Sequence, residues 1–401
     1  MRIRDVALRE IFDSRGNPTI EVSLFDVREK EYRASLPAGA SRGSREATSF
    51  LFGEAKTALD SLRSDICKKE FSSVSAFDHE LFAHDDTSRK ERIGGNVALG
   101  LSVAFTRALS AERGVAVWEL LREEFFSEMK KEETSPPRIF SNLINGGKHA
   151  RTNLNIQEYL VITGGRAVAK EIKTLLALYR DLGAALFKKT KKSILPIGDE
   201  GGYALDFRHN FDPVTHLEFA INALGLEDEL LIGLDVAASA FWDSDHKTYA
   251  WEGKKRNAQW LADWYANAFG KSKLLFSIED PFHEDDAEHF RTLQNTFPEK
   301  LIIGDDLTTT HCDTIREVAK QNAISGVIIK PNQVGTVSEA CASILAAHSS
   351  GLRAIVSHRS GETDDPFIIH LAKAGNVFGV KIGAPVRERM SKFNELIRLY
   401  E

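Results

Sequence analysis

Through the second half of the chain, short apolar runs closed by a charged or polar residue alternate with longer stretches of mixed character. Six of them read LLIGLD to Asp235, LLFSIED to Glu279, LIIGDD to Asp305, GVIIK to Lys330, RAIVSH to His358 and FGVK to Lys381. The runs have strand length. The stretches between them space their apolar residues as helices do, near 214–224, 257–269, 285–297, 312–322, 336–349 and 363–374. This alternation predicts βα units on a parallel sheet closed into a barrel. In such a barrel the carboxyl ends of all strands open on one face, where an active site forms. Three carboxylates, and two lysines flanking a histidine, are therefore expected at one mouth.

The first half reads differently. Residues 3–12 and 19–27 alternate in period two around the turn-forming DSRGNP, which predicts a hairpin. Residues 31–36 supply a third strand before the loop PAGASRGSREA. Helical spacing follows over 48–69 and 96–113, with Val97, Leu101 and Phe105 on one face and Leu99, Val103 and Leu109 broadening it. This is a small α+β domain, a three-stranded sheet plus helices. The charged stretch EEFFSEMKKEETSPPR ends in Pro136 and Pro137, and the boundary is placed there: residues 1–135, then 136–401. After it, IFSNLIN and NIQEYLVI follow each other with no room for a helix, so the barrel opens with a hairpin. ILPIGDE reads as a further strand, with Glu200 just beyond it.

A chain of 401 residues with 42% apolar and 27% charged residues fits a globular protein of two domains. The formal net charge of -6 argues against a nucleic acid or an anionic membrane as the main partner. No stretch reaches the ~20 apolar residues of a membrane span, and the N-terminus lacks a signal-peptide core. Cys67, Cys312 and Cys341 form no CxxC pair, so reduced thiols and a cytoplasmic location are expected.

The polar ends of the runs suggest chemistry. Asp235, Glu279 and Asp305 fall one βα unit apart. Three monodentate carboxylates suit Mg²⁺, a hard cation with oxygen ligands, whereas the scarcity of nearby Cys and His argues against zinc. A single acid at a strand end reads more readily as a helix cap. Three in succession, followed by two lysines, favour a site. A buried lysine needs a partner or a function, and beside a second lysine and a metal the Lys330 pKa is expected to fall until it can act as a base. Glu200 in PIGDEGGYA and Glu158 in NIQEYL are expected to repel each other and keep one proton, a general acid. The Gly-rich loops carrying Ser41 and His149 suit phosphate binding, and SHRSGET is expected to set Arg359 and Ser360 at a helix start.

In order along the chain, NLINGGKHA, QEYLVI, GDEGG, LDVAAS, SIEDPF, GDDLT, KPNQVGT and SHRSGET resemble the enolase family, and the likeness extends from FDSRGNPTIEV to GAPVRERMSKFNELIR. The resemblance implies an α/β barrel of the order ββαα(βα)6 behind an N-terminal α+β domain. It implies Mg²⁺-dependent dehydration of 2-phosphoglycerate, with two Mg²⁺ per site. Lys330 matches the base and Glu200 the acid, with Glu158 beside it. Lys381 matches a substrate-carboxylate contact. Asp235, Glu279 and Asp305 match ligands of one Mg²⁺, and Ser41 matches a ligand of the other. His149, Gln157, His358, Arg359 and Ser360 match substrate contacts. The partner implied is a small phosphorylated acid, and the assembly a homodimer or larger homo-oligomer. The loops depart from the family: Arg42, Arg45, Lys148 and Arg151 add basic groups in or beside them. If these face inward, the alternative is a specialised enolase-like enzyme for a phosphonate or a more anionic substrate. A third reading is a binding protein without turnover.

Overall fold

The computed structural model describes residues 1–39, 43–129, 135–190 and 194–401. The N-terminal strands are β1 (Ile3–Phe12), β2 (Pro18–Asp26) and β3 (Glu31–Ser35), paired antiparallel in the order β1-β2-β3. The expected hairpin turn is held by Asp13, whose Oδ1 accepts from the backbone N–H groups of Arg15 at 2.8 Å and Asn17 at 2.9 Å. Helices α1 (Phe52–Ile66), α2 (Val74–His84), α3 (Gly95–Arg113) and α4 (Val117–Phe125) follow. Helix α3 is buried along nearly its whole length, Val97, Leu101 and Phe105 included. It lies so close to β2 that a Cβ on Gly100 would sit 2.4 Å from Val22 Cγ2, which leaves glycine as the residue that fits.

The barrel strands are β4 (Arg138–Asn145), β5 (Glu158–Ile162) and β6 (Leu231–Asp235). A three-stranded excursion follows, β7 (Trp242–Asp243), β8 (Thr248–Trp251) and β9 (Lys254–Arg256), and then β10 (Leu275–Glu279), β11 (Leu301–Gly304), β12 (Gly326–Ile329), β13 (Arg353–Ser357) and β14 (Gly379–Ile382). Eight strands close in the order β10-β11-β12-β13-β14-β4-β5-β6. β5 runs antiparallel to both its neighbours and the other pairings are parallel, so the barrel does open with a hairpin. Helices α5 (Val168–Thr190) and α6 (Asp212–Ala223) separate β5 from β6. The remaining units carry α7 (Ala258–Lys271), α8 (Ala287–Thr296), α9 (Cys312–Lys320), the short α10 (Pro331–Val334) with α11 (Val337–Ser349), α12 (Phe367–Ala374) and α13 (Met390–Tyr400). The order is ββαα(βα)6.

Two expectations are corrected. ILPIGDE is not a strand. The barrel closes without it, and the segment makes only the isolated bridge Ile197–Tyr203 before a turn in which Gly198 N–H donates to the Gly202 carbonyl at 2.8 Å. Pro196 has no N–H to give a ladder, which favours the turn. Arg359 and Ser360 do not start a helix either, because α12 begins only at Phe367, after Pro366. They lie in an extended loop clamped to the N-terminal part by reciprocal hydrogen bonds between Ala38 and Gly361, at 2.8 and 2.9 Å. The expected boundary at 135/136 adjoins residues 130–134, outside the described residues. Among the described residues, no helix is long and apolar enough to cross a membrane.

Candidate active site

Strand register sets the polar ends side by side. Asp235 at the end of β6 pairs with Glu279 on β10 and with Glu158 on β5, while Lys381 on β14 pairs with Ser357 on β13. One cavity at this mouth is lined by Gln157, Glu158, Asp235, Asp305, Lys330 and Lys381, with His149, Glu200, His358, Arg359 and Ser360 completing its wall. Glu279 lies just behind, buried, and reaches the same cluster through Lys381. Ser41 and Arg42 fall outside the described residues.

The cluster is held together by charge. Lys381 Nζ donates to Asp235 Oδ2 at 2.9 Å and to both Glu279 oxygens at 2.8 Å, and lies 3.3 Å from Glu158 Oε2. Burial lowers this ammonium, but Asp235, Glu158 and Glu279 outweigh it and hold the group well above the ordinary lysine range. Glu279 is pushed up to about 8, by burial first and then by Asp235. Lys330 Nζ donates to Asp305 Oδ2. The expected fall was for a lysine beside a metal, and without one the balance goes the other way. Burial pulls Lys330 down, as do Arg359 and Lys381, yet the Asp305 carboxylate prevails and its pKa is raised. Asp305 is in turn held low, since Lys330 and Lys381 overcome the effect of burial.

Across the cavity, His149 Nδ1 lies 3.5 Å from both Glu158 Oε1 and Glu200 Oε1, and His358 Nε2 lies 3.4 Å from Glu200 Oε1. Burial raises both carboxyls and their repulsion parts them. Glu158 stays well above the carboxylate range. Glu200, beside His358 and His149, falls well below it. The shared proton expected from the sequence thus rests on Glu158, not on Glu200. Burial also lowers His149, and it takes His358 to about 4, so that ring is neutral near pH 7.

Several residues that place these groups were given no role by the sequence. Asn142 on β4 donates to Glu200 Oε2 at 2.9 Å. The Glu200 carbonyl accepts from Ala384 N–H at 2.9 Å, and a Cβ on Gly383 would lie 2.5 Å from that oxygen. Asp280, at φ 42°, accepts from the N–H groups of Asp305 at 2.9 Å and Asp306 at 2.8 Å, tying the ends of β10 and β11 together. Thr310, a β-branched residue at φ 60°, accepts from Lys330 N–H at 2.9 Å. Strain of this kind survives where the surroundings over-determine it. Asn142, Asp280 and Gly383 lie inside NLINGGKHA, SIEDPF and GAPVRERMSKFNELIR, and Thr310 stands just after GDDLT, so membership in a motif was the available signal.

The donor set suits a divalent cation. Asp235, Glu279 and Asp305 are buried carboxylates, and Gln157, which donates to Asp235 Oδ2 at 3.2 Å, keeps a buried Oε1 without a hydrogen-bond partner. Oxygen-only ligation of this kind fits a hard ion. Among the described residues, two acidic groups have ligand atoms within 4.8 Å of one another: His149, Glu158 and Glu200, and Asp280, Asp305 and Asp306. Asp235 and Glu279 belong to neither, because their oxygens are drawn to the Lys381 ammonium.

Of the basic loop residues, Arg45, Lys148 and Arg151 do not line this cavity. Arg45 donates to the carbonyls of Glu284 at 3.4 Å, Asp306 at 3.5 Å and Leu307 at 3.2 Å, bracing the loop after β11. Lys148 and Arg151 are exposed.

Comparison with known sequences follows the same lines. The family model described as "Enolase, N-terminal domain" matches residues 3–121, and "Enolase, C-terminal TIM barrel domain" matches residues 134–401. The enolase of Natranaerobius thermophilus is 34% identical over 417 residues, covering 100% of this chain and 95% of the relative. That of Methanocaldococcus jannaschii is 34% identical over 411 residues, covering 99% and 94%, and that of Methanosarcina barkeri 35% over 415 residues, covering 100% and 94%. With both parts matched and the relatives aligned along nearly their whole length, the chain belongs to the enolase family of lyases.

Proposed function

We propose that the protein dehydrates 2-phosphoglycerate to phosphoenolpyruvate with Mg²⁺, taking the C2 proton with Lys330 and assisting loss of the C3 hydroxyl with Glu200. The observation that carries this reading is the division of the cavity wall. Lys330 sits against Asp305, while Glu200 sits against His149 and His358, two separate clusters lining one cavity. Elimination across two adjacent carbons needs a base and an acid so separated. Asp235, Glu279 and Asp305 would hold one Mg²⁺ and Ser41 would help to hold a second, which would supply positive charge for the substrate carboxylate and engage the Asp305 carboxylate that Lys330 now pairs with. Apart from Asp305, the influences on Lys330 are burial, Arg359 and Lys381, which lower its pKa, and Glu279, itself a proposed metal ligand, which raises it. Lys381 meets the substrate carboxylate, where negative charge grows as the proton leaves. In the free site the proton shared by Glu158 and Glu200 rests on Glu158, and it must move to Glu200 as the substrate binds before Glu200 can give it to the C3 hydroxyl, which departs as water. His149, Gln157 and His358 orient the substrate, and Arg359 and Ser360 hold its phosphoryl group.

The roles separate experimentally. In deuterium oxide, Glu200→Gln is expected to exchange the C2 proton of 2-phosphoglycerate while dehydration falls on the order of 10²-fold or more. Loss of exchange and dehydration together, in a folded variant, would count against the division. A homodimer or larger assembly, a cytoplasmic location and a boundary at 135/136 belong to the same reading.

A further inference from the structure

Glu46 lies in the N-terminal part, just after the loop whose first residues face the barrel mouth. It is 5% exposed and belongs to the wall of the cavity. Its carboxylate is saturated with donors. Arg359 NH1 donates to Oε2 at 3.0 Å and NH2 to Oε1 at 3.2 Å, a two-pronged pairing that fixes the plane of the guanidinium. Gly43 N–H donates to Oε1 at 3.1 Å. Gln333 Nε2 stands between two acids, 3.3 Å from Glu46 Oε1 and 3.1 Å from Asp305 Oδ1. The cation beside the reacting centre is thus already half-neutralised and oriented by a carboxylate from outside the barrel.

We propose that Glu46 is a positioning residue that fixes the Arg359 guanidinium and sets how tightly the site grips the phosphoryl group of its substrate. The proposal rests on the reading of Arg359 as a phosphoryl contact. A free buried guanidinium would hold a dianion strongly and in several orientations. Paired in the plane with Glu46, and with NH1 also donating to Asn332 Oδ1 at 3.2 Å, Arg359 meets an anion in one orientation and at reduced net charge. Weaker but directed binding favours turnover, because tight uniform binding of substrate and product does not lower the barrier. The barrel supplies the cation and the N-terminal part its counter-charge.

The test compares the full-length chain with Glu46→Gln and Glu46→Asp. The probes are inorganic phosphate, titrated calorimetrically with Mg²⁺ present, and turnover of 2-phosphoglycerate. Glu46→Gln nearly keeps the shape and removes the charge. Phosphate is expected to bind about tenfold more tightly. The guanidinium loses one of its two fixed bonds, so kcat is expected to fall about tenfold or more while KM does not rise. Glu46→Asp keeps the charge one methylene back, so phosphate affinity should stay within about twofold of wild type and kcat should drop less than in Glu46→Gln.

A folding role alone would lower kcat and melting temperature together and leave phosphate affinity unmoved. That outcome, or a folded Glu46→Gln with unchanged phosphate affinity, overturns the proposal. Should Glu46→Gln fail to fold, Glu46→Asp decides, and a wild-type kcat in it overturns the proposal as well. Phosphate titration does not depend on the reaction assigned. A wild-type chain that binds phosphate but leaves 2-phosphoglycerate untouched refutes the assigned reaction, while the shift in Glu46→Gln still decides on Glu46.

Discussion

Lys330→Ala is expected to lower kcat for 2-phosphoglycerate on the order of 10² to 10⁴-fold, with little change in KM. Lys330 follows β12, where its N–H is pinned by the strained Thr310 and its ammonium rests on Asp305. Lys381, the other lysine that lines the cavity among the described residues, is committed to Asp235 and Glu279. The substitution leaves Asp305 without its nearest cation, so a change in Mg²⁺ affinity is expected, and calorimetry separates it from the chemical step. Turnover within a few-fold of wild type at saturating Mg²⁺ would remove Lys330 from the mechanism.

Lys381→Met carries the largest expected effect on stability. Lys381 is 2% exposed and contacts Asp235, Glu279 and Glu158 at once. Deleting one partner of a buried ion cluster costs about 3–5 kcal/mol. The loss should depend on pH in a defined direction. In the metal-free wild type the lysine is charged in both folded and unfolded chains below the ordinary lysine range, so it adds no slope there. In the variant, Glu279 and Glu158 lose the ammonium that lowers them, and their pKa values rise further. The folded variant then binds more protons than its unfolded chain, and its stability falls as pH rises. Denaturant unfolding without Mg²⁺ should therefore show a small gap from wild type near about pH 5 that widens toward about pH 9. A gap that narrows with rising pH, or none, would contradict the cluster as described.

Much of the fold was legible because burial on both faces writes itself as an unbroken apolar run. LLIGLD, LLFSIED, LIIGDD, GVIIK, RAIVSH and FGVK all became barrel strands, and their last residues met at one mouth. ILPIGDE carries the same apolar signature but folds as a turn, because a proline and two close-packed glycines decide the backbone and the run does not. Helix α5 was readable in principle from Ile172, Leu175, Leu178, Leu182 and Leu186, all buried at helical spacing, yet it lay outside the alternation that drew the eye. The start of α12 was misplaced by several residues because Ser360 resembles a cap, whereas Pro366 ends the loop.

The candidate site was legible as a set of residues but not as a state of charge. The direction of the Lys330 shift is fixed by Asp305, and the pair Glu158 and Glu200 is sorted by two histidines and Asn142. Those partners are remote in sequence and only folding brings them together. Glu46 escaped for the same reason: its partner Arg359 lies 313 residues away.

The most direct test of the account is phosphoenolpyruvate formation from 2-phosphoglycerate, followed by its ultraviolet absorbance with Mg²⁺ and then with a chelator. Turnover on the order of 10 per second or faster with Mg²⁺, abolished by the chelator, is the expected result. A folded, Mg²⁺-binding chain that leaves 2-phosphoglycerate unchanged would contradict it and send the search to other anionic acids, phosphonates first.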